Sequence, residues 1–178
     1  LTRDKGIVRA SARGARRLNS RSGAATQPLC YAQLSLIPGR GKYIIEDAKP
    51  KEVFFSLRED VERLALAQYF CELAMGICPE DAPAEDHLRL MLGGLYFLSS
   101  KEKNPLLVKA VVEARSLGLE GYAPDLYGCV HCMKDGEPLW FSPSAGTLFC
   151  DEHVSAGDAM QISAGVLAAL RHILNGPF

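Results

Sequence analysis

The sequence predicts an α+β chain: a strand-rich basic opening, a helical middle, and a small metal-binding ribbon towards the C-terminal end. Three observations carry that expectation. The first fifty residues alternate with period two between turn residues, and the apolar period becomes helical from residue 56. Two short-spaced Cys/His pairs then bracket a segment long enough for a hairpin.

In "GIVRASAR", Val8, Ala10 and Ala12 are expected on one face of a strand, with Arg9, Ser11 and Arg13 on the other. In "CYAQLSLIPGRGKYII", Cys30, Ala32, Leu34 and Leu36 share a face. The Pro38-Gly39-Arg40-Gly41 turn leads into a second run from Lys42, which predicts a hairpin. "GRGK" lacks the glycine spacing and the Ser/Thr of a phosphate loop, so it reads as a turn. So few strands and the abrupt start at "LTRDKG" suggest an incomplete sheet whose opening strand precedes this chain.

Ser56 followed by Glu59 has the pattern of a capping box, and the run to about Met75 has no proline. Beyond Leu64 that run is apolar almost all round, which predicts a buried central helix with Cys71 and Cys78 on one core face. A second helix is expected from about Ala84 to Ser99. Its Gly93-Gly94 pair costs ~2 kcal/mol of helix propensity, which close packing would offset. A third helix follows Asn104-Pro105, with Lys109 and Glu113 one turn apart, and a fourth covers about Ala164 to Leu174.

The ribbon rests on Cys129-x2-Cys132 and Cys150-x2-His153, with seventeen residues between the pairs. Thiolate and imidazole suit zinc, and two such pairs joined by a hairpin can close a tetrahedron. The bridge supplies turn signals at Asp135-Gly136 and Ala145-Gly146 with strand formers between them. His131 lies inside the first pair and is the competing imidazole. A redox pair would need its first Cys at a helix N-terminus, whereas Cys129 follows a loop. Four protein ligands leave no open position for water, and no His-x-Glu offers deaminase chemistry, so one structural Zn2+ is expected and no enzymatic activity.

Net charge is only -1, yet residues 1–50 carry ten Lys/Arg against three acids, and residues 51–178 carry ten against eighteen. The opening is therefore +7 and the rest -8. Arg9, Arg13, Arg16, Arg17 and Arg21 fall within thirteen residues that contain no acid. Guanidinium forks suit phosphate contacts, while the plainer reading is a solvated basic loop. A zinc-stabilised interaction scaffold, with its basic half on an acidic protein, is the alternative from another class. The longest apolar run, Leu90 to Leu98, is far short of a membrane span. Six cysteines without a secretory opening fit an intracellular, reducing compartment.

"KGIVRASARGARRLNSRSG", "LREDVERLALAQYFCEL", "GYAPDLYGCVHC" and "LWFSPSAGTLFC", in that order, resemble the bacterial RecO family of recombination mediators. The resemblance covers nearly the whole chain. It implies an OB-fold over residues 1–52 with its first strand missing, and a helical domain over 53–120 and 154–178. A zinc module is implied over 121–153. Family members usually begin earlier, with the first OB strand, and continue past the last helix. The fourth ligand is often Cys where this chain has His153.

The resemblance also implies activity without covalent chemistry in the cytoplasm. Such proteins bind single- and double-stranded DNA, anneal complementary strands, and work with RecR. They help RecA load onto DNA coated by single-stranded-DNA-binding protein (SSB). Arg9, Arg13, Arg16, Arg17, Arg21, Arg40 and Lys42 are the expected phosphate contacts.

Overall fold

Ala10–Ser11 (β1), Cys30–Pro38 (β2) and Tyr43–Val53 (β3) form a three-stranded sheet of order β1-β3-β2. The computed structural model describes residues 1–12, 23–155 and 157–176. These fall into two units, residues 1–112 and 113–178. The α+β class expected from the sequence is the class observed.

In the first unit β2 and β3 pair antiparallel from Cys30↔Val53 to Pro38↔Tyr43, across the expected turn. Cys30, Ala32, Leu34 and Leu36 are half-buried, while Tyr31, Gln33 and Ser35 between them are exposed, so this alternation is as expected. The register shifts between Tyr31 and Ala32, which brings Ala32 opposite Pro50. A bulge there absorbs a residue that cannot donate to the ladder. The alternation expected at β1 fails: Ala10 is exposed and Ser11 half-buried. Only two residues of β1 pair, parallel to Tyr43 and Ile44, too few for side-chain patterning to decide the facing.

Helix α1 (Val61–Ile77) begins later than Ser56 suggests. Phe55–Glu59 forms a 3-10 turn, and Asp60 caps α1 by accepting from the Arg63 amide at 3.2 Å. Ser56 is engaged elsewhere, with its Oγ 2.7 Å from the Ser99 hydroxyl and 3.1 Å from the Ser99 carbonyl oxygen. That long-range bond overrides the local capping pattern. Helix α2 (Glu85–Ser100) falls where it was expected. Arg63 donates to the Leu98 carbonyl at 2.9 Å and to the Lys103 carbonyl at 3.3 Å, tying the start of α1 to the end of α2.

Phe70, Leu57, Leu98 and Val112 are almost wholly buried in this core. Each contributes about 1.5–3 kcal/mol by leaving water. Val112 belongs to α3 (Pro105–Leu119). Helix α1 is buried on one face rather than all round: Ala67, Phe70 and Ala74 point inward, while Glu72 and the apolar Met75 are exposed. Cys78 is buried but Cys71 is exposed, so the two do not share a core face. On a continuous helix seven residues would stand only about 20° apart, but Cys78 lies just past the helix end.

The second unit holds a four-stranded sheet of order β4-β6-β5-β7. Its strands are Asp125–Cys129 (β4), Leu139–Ser142 (β5), Thr147–Cys150 (β6) and Met160–Ile162 (β7). The β5–β6 hairpin is the expected ribbon, paired from Leu139↔Cys150 to Ser142↔Thr147. β4 joins β6 parallel, and β7 joins β5 antiparallel through Leu139↔Ile162. Helix α4 (Ala164–Asn175) starts on Ser163, whose side chain accepts from the Val166 amide. Arg115 donates to the Ile173 and Gly176 carbonyls at 2.8 and 2.7 Å, satisfying the C-terminal end of α4. Among the described residues no helix is long and apolar enough to cross a membrane.

Candidate metal centre

β4 and β6 are neighbouring strands, and each ends on a cysteine. Cys129 closes β4 and Cys150 closes β6, and both are fully buried. After Cys129 the chain turns back on itself. The Cys129 amide donates to the Lys134 carbonyl, and the Met133 amide donates to the Cys129 carbonyl, both at 2.8 Å. Gly128 permits this return, because a β-carbon there would stand 2.9 Å from the Met133 oxygen. After Cys150 a second turn forms, with the His153 amide donating to the Cys150 carbonyl at 3.0 Å.

The two turns bring Cys129, Cys132, Cys150 and His153 together, with their ligand atoms all within 4.8 Å of one another. Cys132 Sγ lies 3.7 Å from Cys150 Sγ. His153 Nδ1 lies 3.2 Å from Cys150 Sγ and 3.6 Å from Cys129 Sγ. The competing imidazole stands outside the group: the His131 ring is exposed, packed 5.2 Å from the His153 ring and 5.8 Å from Phe149.

The thiols are electrostatically unequal. Burial pushes the Cys129 thiol up, but backbone amides from Cys150, His131 and Cys132 outweigh it and bring it down to about 6. At Cys132 the Lys134 amide pulls the thiol down. Desolvation and the nearby Cys129 and Cys150 sulfurs prevail and raise it. One thiolate thus opposes the next, and a cation among them removes that conflict. Three thiols and an imidazole nitrogen at these distances can hold a metal ion.

Neighbouring residues hold the frame. Trp140 Nε1 donates to Asp151 at 2.7 Å, next to Cys150. Arg171 of α4 donates to the Leu126 and Tyr127 carbonyls of β4 at 2.8 and 3.3 Å. Asp158 accepts from Ser142 Oγ at 2.7 Å and from the Ser144 amide at 2.8 Å, latching the β5–β6 turn. Gly128, Asp158 and Arg171 were not singled out in the sequence. Asp158 lies sixteen residues from Ser142, and no local motif announces the pairing.

The basic residues fall differently. Arg9 is exposed just before β1, with Nη2 3.9 Å from Glu80 Oε1. Arg40 and Lys42 are exposed in the β2–β3 turn. Arg13, Arg16, Arg17 and Arg21 lie outside the described residues.

A basic strand section, a helical core and a Cys3His cluster on a four-stranded sheet define an α+β protein carrying a thiolate–imidazole site that could hold a metal ion. Residues 1–54 match the family model described as "Recombination protein O N terminal", and residues 58–178 match "Recombination protein O C terminal". The chain is 33% identical over 177 residues to DNA repair protein RecO of Acetivibrio thermocellus, covering 98% of this chain and 70% of that one. It is 33% identical over 181 residues to that of Symbiobacterium thermophilum, covering 99% and 72%. Against that of Alkaliphilus metalliredigens it is 35% identical over 170 residues, covering 94% and 68%. The chain belongs to the RecO family of DNA repair and recombination proteins.

Proposed function

We propose that the chain is a DNA-binding recombination mediator that performs no covalent chemistry. The observation that carries this reading is the +7 charge of residues 1–50 within a chain matched to the family along its length. Bringing two nucleic-acid strands together requires neutralising like charges, and an arginine-rich section supplies that neutralisation. Arg9, Arg13, Arg16, Arg17, Arg21, Arg40 and Lys42 contact phosphates of single- and double-stranded DNA and favour annealing of complementary strands. Aromatic residues near them are sparse, so binding depends on phosphate and little on sequence. RecR and SSB are its protein partners, and RecA loading is the step it assists in the cytoplasm.

The metal is zinc, one per chain. With Zn–S of about 2.3 Å and Zn–N of about 2.0–2.1 Å, tetrahedral edges are ~3.8 Å between sulfurs and ~3.6 Å between sulfur and nitrogen. The Cys132–Cys150 and Cys129–His153 separations, 3.7 and 3.6 Å, match those edges, while the Cys150–His153 separation of 3.2 Å is shorter than its edge. Cys129, Cys132, Cys150 and His153 fill all four positions, so bound zinc would crosslink β4, β6 and their two turns.

The test is a fluorescence-anisotropy titration of labelled single-stranded DNA across a salt series. Replacing Arg13, Arg16 and Arg17 together by Ala should weaken binding and reduce the magnitude of the log–log salt slope by about 2. Unchanged affinity would remove the DNA contacts from this segment. Binding of an acidic protein tail with nucleic-acid binding at background would favour the scaffold reading.

A further inference from the structure

Three cysteines share the cluster, but only one of them meets solvent. Cys129 and Cys150 are fully buried at strand ends, whereas Cys132 is exposed on the turn between β4 and β5. The buried Cys150 Sγ stands 3.7 Å from Cys132 Sγ, close enough for a small turn movement to bring the two into bonding distance. We propose that the cluster is an oxidant-responsive modification site, in which Cys132 is oxidised by attacking a hydroperoxide, Cys150 closes a disulfide with it, and the metal is released. This inference rests on the metal reading above.

The chemistry balances in two steps. The Cys132 thiolate attacks one peroxide oxygen, so an S–O bond forms as the O–O bond breaks, and hydroxide leaves and is protonated to water. The Cys150 thiolate then attacks the sulfenic sulfur. An S–S bond forms, the S–O bond breaks, and a second hydroxide leaves and takes a proton. Two thiolates, hydrogen peroxide and two protons give one disulfide and two waters. Cys129 and His153 remain as the only two donors of the set, too few to close a tetrahedron.

Location confers the selectivity. An oxidant reaches Cys132 without unfolding, and the resolving sulfur is already its neighbour. Cys71, also exposed, lies on α1 outside the cluster and serves as an internal control.

The experiment uses the full chain purified with zinc, and the metal content is measured first. One zinc per chain sustains the metal reading. A chain without zinc overturns that reading and this inference together, before any oxidant is added. Hydrogen peroxide is then added while a chromophoric chelator reports free zinc, and peptide mapping after thiol blocking locates the disulfide. The expected result is stoichiometric zinc release with a Cys132–Cys150 link, an intact-mass loss of about 2 Da, and reversal by dithiothreitol with added zinc. Zinc retained under oxidation, or released while Cys132 and Cys150 remain free thiols, overturns this inference and leaves the metal reading standing. Cys71→Ser should leave the release rate unchanged; a rate that falls with it would assign the chemistry to the wrong cysteine.

Discussion

A β-carbon placed on Gly94 of α2 would stand 2.8 Å from Cγ2 of Val112 on α3, and 3.0 Å from Cε2 of Phe70 on α1. Two helices approach α2 so closely here that only hydrogen fits. Alanine elsewhere in a helix interior gains about 1 kcal/mol over glycine. At this position Gly94→Ala should instead destabilise by about 1–3 kcal/mol through overpacking, because the Val112 side chain is stiff at χ1. Urea unfolding checks the sign. Gly76→Ala, where nothing stands within 4 Å, should be neutral or stabilising by up to about 1 kcal/mol in the same assay.

This close approach is the part of the fold that the Gly93-Gly94 pair announced, since a helix carries such a pair only when something offsets the propensity loss. The Cys3His cluster was legible for a similar reason. Cys-x2-Cys and Cys-x2-His each impose a local turn, and their meeting requires only the hairpin between them. What stayed hidden depends on residues far apart in sequence. The Ser56 hydroxyl is engaged by Ser99, which moves the start of α1 to Asp60. β7 pairs with β5 across eighteen or more residues, and three residues are too few to show a period. Cys71 and Cys78 shared a heptad spacing but not a face, because the helix ends between them.

Removing the metal should act locally. Chelation is expected to raise amide hydrogen exchange at β4, at β6 and in the turns after Cys129 and Cys150, which an ion held by the four residues would crosslink. The Phe70–Leu98–Val112 core has apolar burial of its own and should keep its protection. Exchange followed by mass spectrometry, with and without chelator, resolves the two regions. Equal loss of protection in α1 and α2 would contradict an independent helical core.

Arg63 should be costly to remove. Its side chain is 12% exposed, forms an ion pair with Asp60 at 3.3 Å, and bonds the Leu98 carbonyl at the end of α2. Arg63→Ala removes three partners at once and leaves that carbonyl without its donor, a loss of about 1–3 kcal/mol. Arg63→Lys should recover only part of it, because an ammonium cannot reproduce the guanidinium fork across both carbonyls. Thermal unfolding of the three proteins should therefore rank wild type first, lysine second and alanine last.

Acid should open the β5–β6 turn through Asp158. Hydrogen bonds from Ser142 and Ser144, side chain and amide, hold its carboxyl below the usual aspartate range. A carboxyl depressed on folding contributes stability that is complete above its unfolded pKa and is lost as pH falls through the folded value. The latch should therefore be intact at neutral pH and fail at pH values below the ordinary aspartate range. Asp158→Asn should remove that acid dependence while keeping the shape of the side chain. The reporter is exchange of the Ser144 amide, which donates to Asp158 at 2.8 Å, compared in both proteins down a pH series with intrinsic exchange corrected. Parallel acid profiles in the two proteins would remove Asp158 as the titrating group.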